Sequence, residues 1–194
     1  MIDSHHLMKP KQWFAFILLG LLWSTSFLWI KIAIREVGPF TLVGIRVVLG
    51  ALSGILATVI LHASWPRDLR TWITYFILGI TSVAVPFVLI SWGEKTIDSA
   101  VASILNASTP LFTILLAHYY LHDDRMTARK IIGLLAGFGG VVLLLSKDLQ
   151  PGGHNSILGQ AAVLVASLFY AGSTVFARLK TEHVPGLVRG TAPL

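Results

Sequence analysis

The sequence predicts an all-α membrane protein, a polytopic helical bundle, and three observations carry that prediction. Of its 194 residues 55% are apolar and 12% charged, and the mean hydropathy is +0.76, a balance that no single core of a water-soluble domain this size would hide. Six uncharged runs approach or reach the roughly 20 residues an α-helix needs to cross a hydrocarbon core. Each is apolar nearly all round and none alternates with period 2, so helices are favoured over barrel strands.

The first run, Trp13 to Ile30, follows Lys9 and Lys11. It is too long for a signal-peptide core, ends at Lys31 and Arg35 and lacks a small-x-small cleavage site, so it reads as a retained span. The others are Leu42 to Leu61, Thr71 to Trp92, Ser99 to Tyr120, Thr127 to Leu145 and Ile157 to Ala177. The fifth is the shortest clean run and recruits the stems of Arg129 and Lys130 by snorkelling. Short connections make consecutive helices antiparallel neighbours with no inserted soluble domain.

Charge gives the orientation. Lys9, Lys11, Arg67, Arg70, Arg125, Arg129, Lys130, Arg178, Lys180 and Arg189 fall on one side, against Lys31, Arg35, Lys95 and Lys147 on the other. The positive-inside rule places the first side, with the N-terminus, in the cytoplasm of a multi-pass protein of the inner or plasma membrane. The same clusters, set between apolar runs, do not form the stripe a nucleic-acid partner needs. Absence of cysteine excludes disulfide, thiol-redox and cysteine-based zinc chemistry.

Several residues inside the spans carry chemistry. Pro86 and Pro110 interrupt the helix ladder of the third and fourth spans, and each frees a carbonyl that the bundle or a water-filled cavity must satisfy; either a packing kink or a broken helix at a substrate site produces that pattern. Asn106, with Ser103, Ser108 and Thr109, is the most polar patch within any span and suits interhelical hydrogen bonding or pore lining. Arg46 is the one formal charge clearly inside a span; it suits a substrate carboxylate, or snorkels to the outer interface. Lys31 is a boundary residue. Trp92 is an interfacial anchor that also borders the third span, and Glu94 is either a coupling or gating group or a surface charge paired with Lys95. With no Asp or Glu in the first, second, fourth or sixth span, a buried carboxylate relay for proton coupling is not visible. Gly133 and Gly137, like Gly50 and Gly54, read as packing faces. His118 and His122 precede Asp123 and Asp124, but Tyr119 occupies the position of the glutamate in a zinc-hydrolase motif; no metal, cofactor or enzyme activity is expected.

The two ends of the chain repeat one another. Trp23, Ser24, Thr25 and Ser26 interrupt the first span, and Tyr170, Gly172, Ser173 and Thr174 are their counterparts in the sixth. Five helices precede the second copy, an odd number, so the copy has inverted topology, the sequence mark of many secondary transporters. Residues 1–12 are then an N-terminal tail, 13–146 a five-helix repeat, 147–155 an external loop and 156–194 the start of an incomplete second repeat.

The stretch WSTSFLWIKIAI, followed by Gly38, Pro39 and Gly44-Ile45-Arg46, together with the run from Ser91 to Leu145, resembles an EamA-type repeat of the drug/metabolite transporter superfamily. The resemblance implies a ten-helix architecture of two repeats that exports amino acids, other metabolites or drugs. This chain departs from it in carrying Asp123 and Asp124 where a Glu is common, and in lacking the last four helices. The expected function is export of a small solute by alternating access, through a cavity lined by the first, third, fourth and sixth helices. Its candidate residues are Trp23, Ser24, Ser26, Arg46, Trp92, Asn106, Pro110, Tyr170 and Ser173, with Lys31 and Glu94 for coupling or gating. The expected partners are lipid, the solute and either a second copy or a second-half chain; the alternative is a non-transporting membrane partner or an inactive gene fragment.

Overall fold

Among the described residues, six helices are long and apolar enough to cross a membrane. The structure, a computed structural model, describes residues 10–62, 65–66, 68–121, 126–148 and 154–181. The spans are α1 (Pro10–Ala33), α2 (Pro39–Ile60), α3 (Leu69–Gly93), α4 (Ser99–Tyr120), α5 (Ala128–Asp148) and α6 (Ile157–Thr181), and no strand occurs among the described residues. Each overlaps its predicted run, because a bilayer leaves the helix as the open-chain solution to backbone hydrogen bonding. Lys9, Arg67, the His122–Arg125 segment, Pro151 and Arg189 lie outside the described residues.

Local chemistry sets the irregularities. α3 starts where the Asp68 carboxylate caps the Thr71 N–H at 2.8 Å. Its middle, Ile80–Ala84, is π-helical, just before Pro86, whose missing N–H breaks the regular ladder. There Thr81 and Ser82 donate their hydroxyls to the carbonyls of Ile77 and Leu78, at 2.8 and 2.6 Å. α4 consists of Ser99–Asn106 and Thr109–Tyr120, separated by Ala107 and Ser108. Pro110 denies the Asn106 carbonyl its helical donor, and the Thr109 hydroxyl supplies one at 2.8 Å. The Leu105 carbonyl takes the Ser108 hydroxyl at 2.6 Å and Ser167 of α6 at 3.3 Å. The kink at Pro110 is therefore satisfied inside the protein.

α6 is the central helix and packs most extensively on α3 and α4. Its buried face includes Gly159, Ala162, Val163, Ala166, Ser167, Ala171 and Ser173, small side chains that let neighbouring backbones approach. The closest approach joins Gly93 at the end of α3 to Gly159: a methyl group on Gly93 would stand 2.7 Å from the Gly159 carbonyl oxygen. The core around this contact contains Phe27, Ile30, Ile90, Ile97, Leu105 and Val163. α1, α2 and α5 keep most of their apolar surface outward, where lipid is the solvent. Gly137 of α5 lies against Leu111 of α4, as a packing glycine should, whereas Gly133 has open space beside it.

Candidate functional site

Two cavities share a wall between the helices, and the larger opens outward, because Phe16, Leu19 and Trp23 on its wall are more than half exposed. One, of about 60 Å³, is lined by Trp23, Ser26, Phe27 and Ile30 of α1, Arg46 of α2, Phe87 and Ile90 of α3, Asn106 of α4 and Tyr170 of α6. The larger, of about 620 Å³, also touches Trp23, Phe27, Asn106 and Tyr170, then continues past Ser24, Pro110 and Thr174 to Gly20, Leu19 and Phe16. Because α1 starts at Pro10, the larger cavity runs toward the end of the bundle that holds the start of α1.

Arg46 stands two turns into α2 and faces inward. Its Nη2 donates to Ser26 Oγ at 3.3 Å, and its guanidinium carbon sits 4.5 Å from the centre of the Phe87 ring, a cation–π stack. The arrangement holds the charge in the cavity wall and does not let it snorkel to the surface. Asn106, at the break in α4, brings a buried Oδ1 that has no hydrogen-bond partner among the described residues. Site and break coincide because the kink at Pro110 ends the first half of α4 at Asn106. A guanidinium, an open carbonyl-type acceptor and the rings of Trp23, Phe87 and Tyr170 thus face one small space.

Six of the sequence candidates gather here: Trp23, Ser24, Ser26, Arg46, Asn106 and Tyr170, with Pro110 beside them in the larger cavity. The hydroxyls of Ser24 and Thr25 donate to the carbonyls of Leu21, each at 3.0 Å, so they are satisfied within α1 itself. Two candidates stand apart. Ser173 donates to Thr81 Oγ1 at 2.9 Å and borders a separate apolar groove with Phe169, Leu168 and Phe176. Trp92 is 41% exposed on the outer surface and touches neither central cavity. Trp92→Phe is accordingly expected to change folding stability by no more than about 0.5 kcal/mol, read by detergent-driven unfolding followed through tryptophan fluorescence. α2 joins the four helices expected to form the wall, and the sequence reading passed over Phe87. Its signal was the spacing Phe87, Ile90, Glu94, which places all three on one face of α3.

Glu94 corrects the sequence reading most. It is 0% exposed, not a surface charge paired with Lys95. It caps the C-terminus of α3 one turn beyond Ile90, and neither carboxyl oxygen has a hydrogen-bond partner among the described residues. Burial pushes its carboxyl up to about 8, against the opposing pull of Lys31 and Arg46. Lys31 also departs from a plain boundary role: its ammonium reaches across from α1 and donates to the backbone carbonyls of Glu94 and of Ile97, the latter at 2.7 Å. This tether lies at the end of the bundle opposite the start of α1. No group of three or more metal-ligating side chains occurs among the described residues.

Fold and site together define a polytopic helical membrane protein with a charged, aromatic cavity at the centre of its bundle. The chain belongs to the EamA-like transporter family, whose sequence model matches residues 11–146. It is 24% identical to the uncharacterized transporter YoaV of Bacillus subtilis, over 84% of this chain and 56% of that protein. An uncharacterized transporter of Archaeoglobus fulgidus is 29% identical over 95% of the chain and 66% of its own length. A probable terminal-alkyne amino-acid exporter of Streptantibioticus cattleyicolor is 28% identical over 86% of the chain and 54% of its own length. The chain thus spans about half to two thirds of the curated relatives it matches. No solved structure matches it.

Proposed function

We propose that this chain forms a solute pathway of a secondary transporter that exports a small zwitterionic metabolite of the amino-acid class by alternating access. The observation that carries the reading is the pairing of Arg46 with the open Oδ1 of Asn106 in one cavity. A guanidinium recognises a carboxylate through charge-assisted hydrogen bonds, and a carbonyl-type oxygen accepts from an ammonium. The Trp23, Phe87 and Tyr170 rings would take the apolar part of the solute. The relative described as a probable amino-acid exporter belongs to the same chemical class.

Orientation follows from charge. Lys11, Arg70, Arg129, Lys130, Arg178 and Lys180 lie at the end toward which the larger cavity runs, and the positive-inside rule makes that end cytoplasmic. The cavity then receives solute from the cytoplasm while the Lys31 tether closes the outer end. Function as a unit of two chains, or with a complementary set of helices, fits the share of its relatives that the chain spans.

The test is equilibrium binding to the purified chain in nanodiscs. Radiolabelled amino acids should bind and be displaced by other zwitterions, while their methyl esters and decarboxylated amines compete at least about tenfold more weakly. Equal competition by acid and ester would overturn the assignment of Arg46. Solute flux in vesicles separates transport from the alternative of a non-transporting partner, for which binding persists without flux.

A further inference from the structure

Three observations meet at Glu94. The side chain is completely buried, and both carboxyl oxygens lack a hydrogen-bond partner among the described residues. Lys31 is the cation that acts on it most strongly, yet its ammonium donates to the backbone carbonyls of Glu94 and Ile97 and not to the carboxyl group. An ionised carboxylate would be the stronger acceptor for an ammonium, so this geometry is the one a neutral carboxyl permits. The Gly93–Gly159 contact seals the same turn against α6.

We propose that Glu94 is a proton-binding site that closes the outer end of the cavity: the tether from α1 to the α3–α4 turn forms over a protonated Glu94 and is released when that proton leaves. On closure the carboxylate takes one proton from hydronium in the adjoining water; an O–H bond forms on Glu94, one breaks in hydronium, and water is left. On opening, water enters, the proton returns to it, and the ammonium of Lys31 exchanges two carbonyls for a carboxylate, which uncouples α1 from the start of α4. The other charged group that acts on Glu94 is Arg46 on α2, whose charge favours ionisation, and Tyr170 on α6 neighbours Arg46. Lys95, Asp98 and His154 are exposed at this end of the bundle.

The sign follows from the two protonation states. In the closed form the carboxyl ionises near 8 against an ordinary value of 4.5, so closure takes up a proton between these values, and the closed fraction falls as pH rises through about 8. The proposal builds on the transporter reading, but its test needs no solute. The natural chain has no cysteine, and Ile97, only 2% exposed beneath the tether, lines neither central cavity. Ile97→Cys in nanodiscs is labelled with a membrane-impermeant thiol reagent, with and without Glu94→Gln, whose amide mimics the neutral acid. The ratio of the two rates cancels the thiol's own titration.

That ratio should climb with pH, by at most about tenfold per unit for a single proton. Lys31→Met should raise labelling at every pH and flatten its dependence. A ratio that stays constant with pH, or labelling unchanged by Lys31→Met, would overturn the proposal. If the ratio moves as expected while no amino acid binds, the gate stands and the solute assignment falls.

Discussion

Arg46→Ala is expected to weaken binding of a zwitterionic solute by about ten- to a hundredfold, the worth of the ~1.5–3 kcal/mol carried by a hydrogen bond to a charged group. Folding should survive the change. The guanidinium is desolvated in the cavity wall, and its direct partners among the described residues are the Ser26 hydroxyl and the Phe87 ring. Removing it therefore strands no buried carboxylate partner, the situation that makes the loss of one half of an ion pair severe. Arg46→Lys keeps the charge but loses the planar stack on Phe87 and the two-pronged grip on a carboxylate, so affinity should fall between wild type and alanine. A purely structural Arg46 would give a different pattern: lower thermal stability and yield for the alanine variant, with unaltered affinity in the protein that folds. Solute binding measured beside thermal unfolding separates the two.

How far the sequence could be read depended on whether a residue's surroundings were set by its neighbours in the chain or by another helix. The spans were legible because the bilayer imposes one length and one backbone solution; the third run, expected from Thr71 to Trp92, is a helix over Leu69–Gly93. Asn106, Arg46 and Tyr170 were legible as inward-facing, cavity-lining residues because polar or charged groups within an apolar run have few places to go except the interior. Glu94 was not. It follows an apolar run and precedes Lys95, so its local sequence is that of a surface turn, and only the approach of α6 through Gly159 and of α1 through Lys31 buries it. The sixth helix shows the same limit on a finer scale. Tyr170 and Thr174, four residues apart, share the cavity face, while Phe169, Ser173 and Phe176 share the neighbouring one. Local polarity in that helix marked a functional stretch without saying which of its faces met the cavity.

Gly159→Ala is expected to destabilise the bundle by about 1–3 kcal/mol, the usual cost of forcing atoms into a packed interior. The added carbon would stand 2.5 Å from Thr96 Oγ1, 2.9 Å from Ile97 Cγ2 and 3.0 Å from the Gly93 carbonyl oxygen. Thr96 is exposed and can turn aside, but Ile97 is buried and the Gly93 backbone cannot rotate out of the way as a side chain can. Relief requires α6 to move off the end of α3, which also loosens the wall behind Glu94. Gly137→Ala supplies the contrast. Its new carbon would meet Leu111 Cδ2 at 2.7 Å, but that atom is the tip of a flexible side chain on a lightly packed pair of helices. There the gain of up to ~1 kcal/mol in helix propensity offsets the crowding, so stability should stay close to that of the unmodified protein. Unfolding of both variants in a denaturing detergent, read through tryptophan fluorescence, tests the pair. Equal losses at the two sites would mean that α6 is no more tightly seated than α5, and the sealed turn around Glu94 would lose its structural basis.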